Sequence, residues 1–210
     1  MSDKPLATFS VVDRETNQPT DLDLWSPVAE RHKDHFLTRW RPIFDRHLDE
    51  IRANGGNVDE VVQLRMIQDA HWQWASKADA IEGRLDWASF ALEGQGVTQG
   101  LMFAQTAGFA KEPSQKGKPL VKVVLLASAP WNRPTLAAVP RFKGVGRILL
   151  GAAISLSFHE EFAGRVGLHA LPQAEAWYRD VCGMTDLGVD GTGMRYFETT
   201  EEQATAFLAI

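Results

Sequence analysis

The chain has 210 residues, of which 44% are hydrophobic and 23% are charged. This balance is typical of globular proteins and excludes a wholly disordered chain, a collagen-like repeat and a coiled coil. Lys and Arg number 22 against 27 Asp and Glu, so the formal net charge is −5. Non-specific binding to nucleic acid or to an anionic membrane needs accumulated positive charge, and the composition argues against both.

Other sequence features narrow the class of protein. Cys182 is the single cysteine, so an internal disulfide and a cysteine-based zinc site are excluded. His32 and His35 have a spacing that suits a metal, but no third ligand accompanies them, and we expect no metal. The apolar runs are too short to span a bilayer, and the start does not resemble a secretory signal. We therefore expect a soluble, cytoplasmic protein.

The N-terminal part of the chain predicts one strand followed by two long helices. Residues 6–12 are apolar and β-branched, which favours a strand, and the polar stretch 13–23 that follows reads as a connector. Helical spacing of apolar residues begins after Ser26, and Pro42 inside it predicts a kink or a break. A second helix is expected from Asn57 to near Gly83.

The remainder of the chain alternates strands and helices. Strands at 86–93 and 98–110 are joined through Gly94-Gln95-Gly96, and the nearly continuous apolar run 120–128 predicts a central strand. The further predicted elements are helices at 145–156, 173–182 and 201–210 and strands at 165–171, 184–187 and 194–199. Up to the last helix the order is β-α-α-β-β-β-α-β-α-β-β, which predicts an α/β fold with a mixed sheet in one domain, residues 1–210.

The most informative segment is a glycine-containing loop that directly opens the predicted helix at 145–156. It reads Arg141-Phe142-Lys143-Gly144-Val145-Gly146 and is followed by Arg147. Glycines allow close approach of the backbone to a ligand, and the unpaired amides of a first helical turn attract anions. The segment therefore predicts a site for a pyrophosphate, although glycines in such a loop also serve turn geometry alone.

This loop resembles the coenzyme loop of the GNAT superfamily of acyl-coenzyme A-dependent N-acyltransferases. Arg141, Gly144 and Gly146 match the three defining positions of the family's Arg/Gln-x-x-Gly-x-Gly/Ala pattern. Residues 126–130 resemble the apolar-x-Pro end of the family's preceding strand, and residues 174–184 resemble its Ala, Tyr and Gly-aromatic helix. The predicted order of elements also fits the family.

The resemblance implies an acyl-CoA site and a fold in which residues 1–83 form the acceptor-side wall and residues 84–210 the coenzyme-binding core. Acetyl-CoA or another short acyl-CoA would be the co-substrate, without a metal. The residues implied to bind it are Leu126, Ala127 and Ser128, through their backbone along the pantetheine arm, and Arg141, Phe142, Lys143, Gly144, Val145, Gly146 and Arg147 in the loop.

The catalytic roles are assigned with alternatives beside them. The resemblance implies that Tyr178 is the acid that protonates the departing thiolate. The alternative is that Tyr178 only packs beside Trp177. Histidine exchanges protons near neutral pH, so His169 is one candidate general base and Glu93 a comparable one; ordered water is another route. Trp131, in a loop, either lines the substrate pocket or anchors the loop.

The sequence thus predicts transfer of a short acyl group to a primary amine of a small molecule or peptide. One alternative is a non-catalytic GNAT-like module that binds coenzyme A or regulates a partner. A second is a toxin-like acyltransferase acting on RNA or protein, which the negative net charge disfavours. Self-association is common in this fold, so a homodimer stays open.

Overall fold

The computed structural model describes residues 4–55, 69 and 72–209. The strands are β1 (Ala7–Asp13), β2 (Gln18–Trp25), β3 (Trp87–Gly94), β4 (Val97–Phe109), β5 (Pro119–Ser128), β6 (Val166–Ala170), β7 (Thr185–Val189) and β8 (Arg195–Glu198). The α-helices are α1 (Glu30–His35), α2 (Arg41–Ala53), α3 (Trp74–Ile81), α4 (Val145–His159) and α5 (Glu201–Leu208).

The strands are hydrogen-bonded in the order β1-β2-β3-β4-β5-β6-β8-β7. The β1–β2, β2–β3, β6–β8 and β7–β8 pairs are antiparallel, whereas β5 and β6 are parallel, with α4 in the connection between them. A parallel pair needs such a crossover because its two strands run in the same direction. The predicted α/β class with a mixed sheet is confirmed.

The chain divides into two compact units, whose boundary passes through β3, β4 and β5. The first comprises residues 1–83, 89–101 and 127–145, and the second comprises residues 84–88, 102–126 and 146–210. This boundary differs from the expected division after residue 83. The organisation as a single domain stays a prediction.

One strand was missed by the sequence pattern. The stretch 13–23, predicted to be a connector, contains most of β2, which pairs with β1 from Gln18 to Leu24. Leu22 and Leu24 are buried and alternate with aspartates, which is the spacing of a strand. Pro19 lies outside the short β2–β3 ladder, which begins at Asp23, so the proline interrupts no pairing with β3. The polar residues and the proline of this stretch also fit a connector, so the sequence pattern did not predict β2.

The first helical region is interrupted near Pro42, as predicted. α1 runs into a π-helical segment, Phe36–Trp40, and α2 starts at Arg41 with the proline in its first turn. Proline is tolerated there because the first amides of a helix have no intrahelical partner. The helix predicted from Asn57 lies mostly outside the described residues, and α3 ends before Gly83.

The second unit follows the predicted order with one local difference. The helix expected at 173–182 is instead a 3₁₀ turn, Pro172–Ala174, followed by a π-helical segment, Trp177–Val181. Gly183 follows it with a φ of +67°, a conformation that glycine adopts without a steric penalty.

Trp40 is the centre of the first unit's core. It is fully buried, packs edge-on against Phe36 and Trp131, and donates from Nε1 to the carbonyl oxygen of Thr98 at 2.9 Å. The indole therefore joins the helical region to the first residues of β4 by apolar packing and by one buried hydrogen bond.

Replacing Trp40 by Ala is expected to lower the free energy of unfolding by about 3–5 kcal/mol, because it leaves a large cavity and an unpaired carbonyl. Urea denaturation followed by far-UV circular dichroism measures this change. Leu37→Ala, at a side chain that is 48% exposed, is the control and should change stability by no more than about 0.5 kcal/mol. Equal effects of the two substitutions would contradict this account of the core.

Candidate coenzyme site

Arg141 is held by two acidic side chains and a glutamine in the first unit. Its Nη2 donates to Asp13 Oδ2 at 2.8 Å and to Gln95 Oε1 at 2.6 Å, and its Nε lies 3.2 Å from Glu15 Oε2. Asp13 is fully buried, and the hydrogen bond from Arg141 lowers the pKa of that carboxyl to about 2. The carboxylate is therefore charged at neutral pH, and the guanidinium is already paired.

Phe142 is also engaged within the protein. Its ring is buried, and its N–H donates to Asn132 Oδ1 at 3.0 Å. Asn132 in turn donates to Gln99 Oε1 at 3.1 Å, and that same oxygen accepts from Trp131 Nε1 at 2.7 Å. These contacts give both Phe142 and Trp131 an anchoring role, and the predicted ligand contacts of the two residues stay predictions.

Gly144 marks the point where the loop turns into α4. Its φ is +93°, a conformation that is strained for residues with a side chain, and among the described residues no atom except those of its chain neighbours lies within 4 Å of where its Cβ would be. The side of the loop that the glycine leaves uncovered is therefore open. α4 begins at the next residue, and the first amides of a helix have no intrahelical partner and lie at the positive end of its dipole, so the predicted pyrophosphate position is compatible with this geometry.

The three cations of the loop have different surroundings. Arg141 is paired with Asp13, and Arg147 in the second unit stacks on the Phe207 ring and donates to the Phe207 carbonyl at 2.7 Å. Lys143 has no ion pair with any of residues 4–55, 69 and 72–209. Among the three, Lys143 is the cation that is free to meet an anion.

The parallel strands β5 and β6 separate after a short ladder in the second unit. They pair at Val121–Val166, Lys122–Gly167 and Val123–Leu168 only, although β5 continues to Ser128 and β6 to Ala170. Strand backbone that is not paired to a neighbouring strand is free to bond an extended ligand. Beyond Val123 the β5 backbone thus has no pairing with β6, and this unpaired part includes Leu126, in the segment predicted to hold the pantetheine arm.

The three predicted residues of that segment have different environments. The side chains of Leu126 and Ser128 are half-buried, whereas Ala127 is buried. The carbonyl oxygen of Ser128 accepts from Arg133 Nε at 2.8 Å, so that group is already bonded within the first unit.

Tyr178 lies in the π-helical segment of the second unit. Its ring is 6% exposed and packs between Trp177, at 4.9 Å between centroids, and Phe197, at 5.9 Å. Burial raises the pKa of its phenol, and the nearby Cys182 thiol adds to the effect. The hydroxyl therefore keeps its proton at neutral pH, as a general acid requires.

His169 lies on the opposite face of the sheet from Tyr178. It pairs with Tyr196 across β6 and β8, whereas Leu168 pairs with Phe197, against which Tyr178 packs. Consecutive strand residues point to opposite faces. His169 Nε2 is 2.7 Å from Asp190 Oδ2, and Nδ1 has no hydrogen bond to any residue that the structure describes. An imidazole oriented by a carboxylate resembles the base of a catalytic dyad.

Glu93, the other candidate base, lies in the first unit at the end of β3. Its Oε2 accepts from Arg31 Nε at 2.8 Å and contacts His32 Nε2 at 3.0 Å. Burial raises the pKa of this carboxyl, but the contacts with Arg31 and His32 together outweigh burial, and the net shift is downward. A carboxylate stabilised in this way is a weaker proton acceptor.

His32 forms part of this cluster and is neutral. It is fully buried, and burial lowers its pKa to about 4. Its Nδ1 accepts from the Ala29 N–H at 2.9 Å, so the ring proton is on Nε2 and points to Glu93. His32 and Glu93 together fasten α1 to β3.

Two findings concern metals and membranes, and both apply only to the described ranges 4–55, 69 and 72–209. No group of three or more His, Cys, Asp or Glu side chains is arranged to hold a metal ion there. No helix within these ranges has the length and apolar character needed to cross a bilayer.

Sequence reasoning missed the residues that fix the loop, namely Asp13, Gln95, Gln99 and Asn132. Asp13 and Arg141 are 128 positions apart, and no local pattern links them. One signal was present in the turn between β3 and β4. Gln95 occupies the first position of a two-residue turn before a glycine, where Asn or Asp is usual. An unusual residue at this position indicates that its side chain makes a specific contact.

Sequence comparison identifies no relative, since no known family model and no curated protein matches the chain. Solved structures do match. FeeM, an N-acyl amino acid synthase from uncultured soil microbes, has a TM-score of 0.53 at 15% identity, over 89% of this chain and 94% of that one. An uncharacterized protein from Bacillus halodurans has a TM-score of 0.51 at 12% identity, over 99% and 96%.

A third structure, the PaiA N-acetyltransferase from Thermoplasma acidophilum in complex with coenzyme A, has a TM-score of 0.49 at 9% identity, over 85% of this chain and 98% of that one. At such identities a structural match identifies the fold and not the activity. The strand order, the separation of β5 from β6 and the matches above 0.5 lead to one conclusion: this chain has the fold of the GNAT acyltransferases.

Proposed function

We propose that the protein transfers an acetyl or other short acyl group from acyl-CoA to a primary amine. The observation that carries this proposal is the short β5–β6 ladder, because it leaves strand backbone available along β5. The chain after β5 leads to an anion loop at the start of α4. FeeM, a protein of the same fold, is an N-acyl amino acid synthase, which supports the same class of reaction.

In the proposed complex, backbone groups of β5 near Leu126 and Ala127 bond the pantetheine arm. The pyrophosphate lies against the amides that follow Gly144, where the positive end of α4 and the Lys143 ammonium attract it. Because Arg141 is neutralised by Asp13, it contributes to the shape of the loop and not to its free charge.

The reaction is direct attack of the amine on the thioester. The amine nitrogen forms a bond to the carbonyl carbon, and the tetrahedral intermediate then breaks its carbon–sulfur bond. The nitrogen loses one proton and the departing thiolate gains one, so that amide and free coenzyme thiol result. Backbone N–H groups of the open part of β5 polarise the carbonyl, which is the usual source of stabilisation for an oxyanion.

Tyr178 is the proposed acid, and His169 the proposed base. The buried phenol is protonated at neutral pH and can therefore donate its proton to the departing thiolate. His169 is preferred over Glu93 because Asp190 orients the ring and Nδ1 has no hydrogen bond to any described residue, whereas two donors already stabilise the Glu93 carboxylate. The sulfur and the nitrogen are bonded to one carbon in the tetrahedral intermediate, so His169, on the other face of the sheet from Tyr178, would accept the proton of the nitrogen through ordered water.

The coenzyme site is tested by calorimetric titration with acetyl-CoA. The unaltered protein is expected to bind, and Gly144→Trp is expected to abolish binding, because the new side chain fills the open side of the loop. Gly117→Trp is a matched control, since Gly117 has a similar φ of +79° and equally open surroundings in another turn. Loss of binding in both variants, or in neither, would contradict the assignment.

Tyr178→Phe is expected to lower kcat by about 10²-fold or more, because it removes the proton donor while the ring still fills its site. The measurement is steady-state release of coenzyme thiol with a panel of amines, combined with calorimetric binding of acetyl-CoA. Affinity for acetyl-CoA should stay unchanged. An undiminished kcat would remove Tyr178 from the mechanism.

His169→Gln is expected to lower kcat by about 10²-fold, and its loss of rate should be partly relieved at high pH, where more of the amine is already deprotonated. His159→Gln, at an exposed histidine at the end of α4, is the control and should leave kcat unchanged. If Glu93→Gln has the larger effect and His169→Gln has none, Glu93 is the base. A protein that binds acetyl-CoA but acylates no amine would favour the non-catalytic alternative.

A further inference from the structure

We propose that Asp13 and Gln95 are positioning residues that hold the anion loop in its binding shape through Arg141. This inference rests on the proposed function. It assigns a role in the coenzyme site to two residues that lie far from the loop in sequence. Neither residue touches the coenzyme in the proposed complex, so both act through Arg141.

The contacts form a closed network within the first unit. Asp13 Oδ1 and Oδ2 accept from Arg141 Nε at 3.1 and 3.2 Å, and Oδ2 also accepts from Arg141 Nη2 at 2.8 Å. Gln95 Nε2 donates to Asp13 Oδ2 at 3.1 Å, while Gln95 Oε1 accepts from Arg141. Each of the three side chains thus bonds both of the others.

The backbone strengthens the connection between β1 and the loop. Arg14 N–H donates to the Arg141 carbonyl at 3.0 Å, and Asp13 forms an isolated antiparallel bridge with Phe142. The hairpin end of β1 therefore pairs with the residues that immediately precede Gly144. A shift of the hairpin would move the loop with it.

The charges around Arg141 indicate that this network positions the loop and does not supply positive charge to a ligand. Asp13 is completely buried, and a buried carboxylate is stable only when it is paired and hydrogen-bonded. Glu15 adds a second negative charge 3.2 Å from Arg141 Nε. Two carboxylates beside one guanidinium leave no net positive charge to attract a phosphate, so Arg141 serves the site by its position.

The backbone conformation of Gln95 is a second observation that points to this contact. Its φ is +54°, in the left-handed region, and Gly96 follows it with +69°. This is the geometry of a tight hairpin turn in which Asn or Gly normally occupies the first position. A glutamine costs conformational energy there, and its side chain bonds both members of the ion pair.

The proposal is tested first with Asp13→Asn, by hydrogen exchange at the Phe142–Arg147 amides and by titration with acetyl-CoA. We expect faster exchange in the loop and about tenfold weaker binding, since small displacements of positioning groups have effects of this size or larger. Asp86→Asn is the control, because Asp86 also bonds one arginine and one glutamine but belongs to the second unit, although its side chain is 37% exposed. It should change neither quantity.

A second variant separates positioning from folding. Gln95→Gly relieves the left-handed strain, so the thermal midpoint should be unchanged or higher, yet it removes one acceptor and one donor from the network. We expect loop exchange to rise and acetyl-CoA affinity to fall by a few-fold. A glutamine with no positioning role would give an equally stable variant whose loop exchange and acetyl-CoA affinity are unchanged.

The outcomes distinguish this inference from the proposed function. Unchanged exchange and unchanged affinity in Asp13→Asn and Gln95→Gly, with normal binding by the unaltered protein, overturn the positioning role alone. If the unaltered protein binds no acetyl-CoA, the proposed function fails. The exchange rates then still decide whether Asp13 and Gln95 hold the loop.

Discussion

A parallel strand pair that separates inside a sheet sets the main physical constraint on this protein. The ladder between β5 and β6 covers three residue pairs, after which the two strands need other partners for their backbone groups. On β5 a ligand with its own amides would meet that need, and pantetheine is such a ligand. The position of the loop follows from the same constraint, because α4 forms the crossover that parallel pairing requires.

The loop that follows β5 is shaped by polar contacts more than by apolar packing. Asp13 and Gln95 fix its arginine, and Asn132, supported by Gln99, accepts from the Phe142 amide. Fully satisfied buried polar networks specify one geometry, since any displacement leaves a donor or an acceptor unpaired. Such rigidity suits an anion site, in which several amides must point at one group before the ligand arrives.

The two candidate catalytic groups of the second unit differ in how the protein controls their protons. Tyr178 depends on burial, which keeps its phenol protonated. His169 depends on a carboxylate, Asp190, which fixes the orientation of its ring, while Nδ1 has no hydrogen bond within the part of the chain that the structure describes. Glu93 has the reverse property, because Arg31 and His32 stabilise its charged form and reduce its basicity. Chemical type alone would have ranked the two bases equally.

Local signals in the sequence determined the elements and the loop. The apolar run of β5, the helical spacing of α4 and the glycines between them are short-range patterns, and the structure has each of them where predicted. The same applies to the interruption near Pro42, because a proline acts on its own turn of helix. The strand β2 was hidden because alternating aspartates and a proline in it also fit a connector.

Only the tertiary structure determined which distant segments contact the loop and which of its cations are already paired. The Asp13–Arg141 pair joins residues 128 positions apart, and the opposite faces of Tyr178 and His169 depend on the register of β6 with β8. Among the cations of the loop, only contacts made on folding show that Arg141 and Arg147 are engaged. Sequence patterns describe neighbours along the chain, whereas pairing, burial and charge compensation arise between segments that meet only in the folded protein.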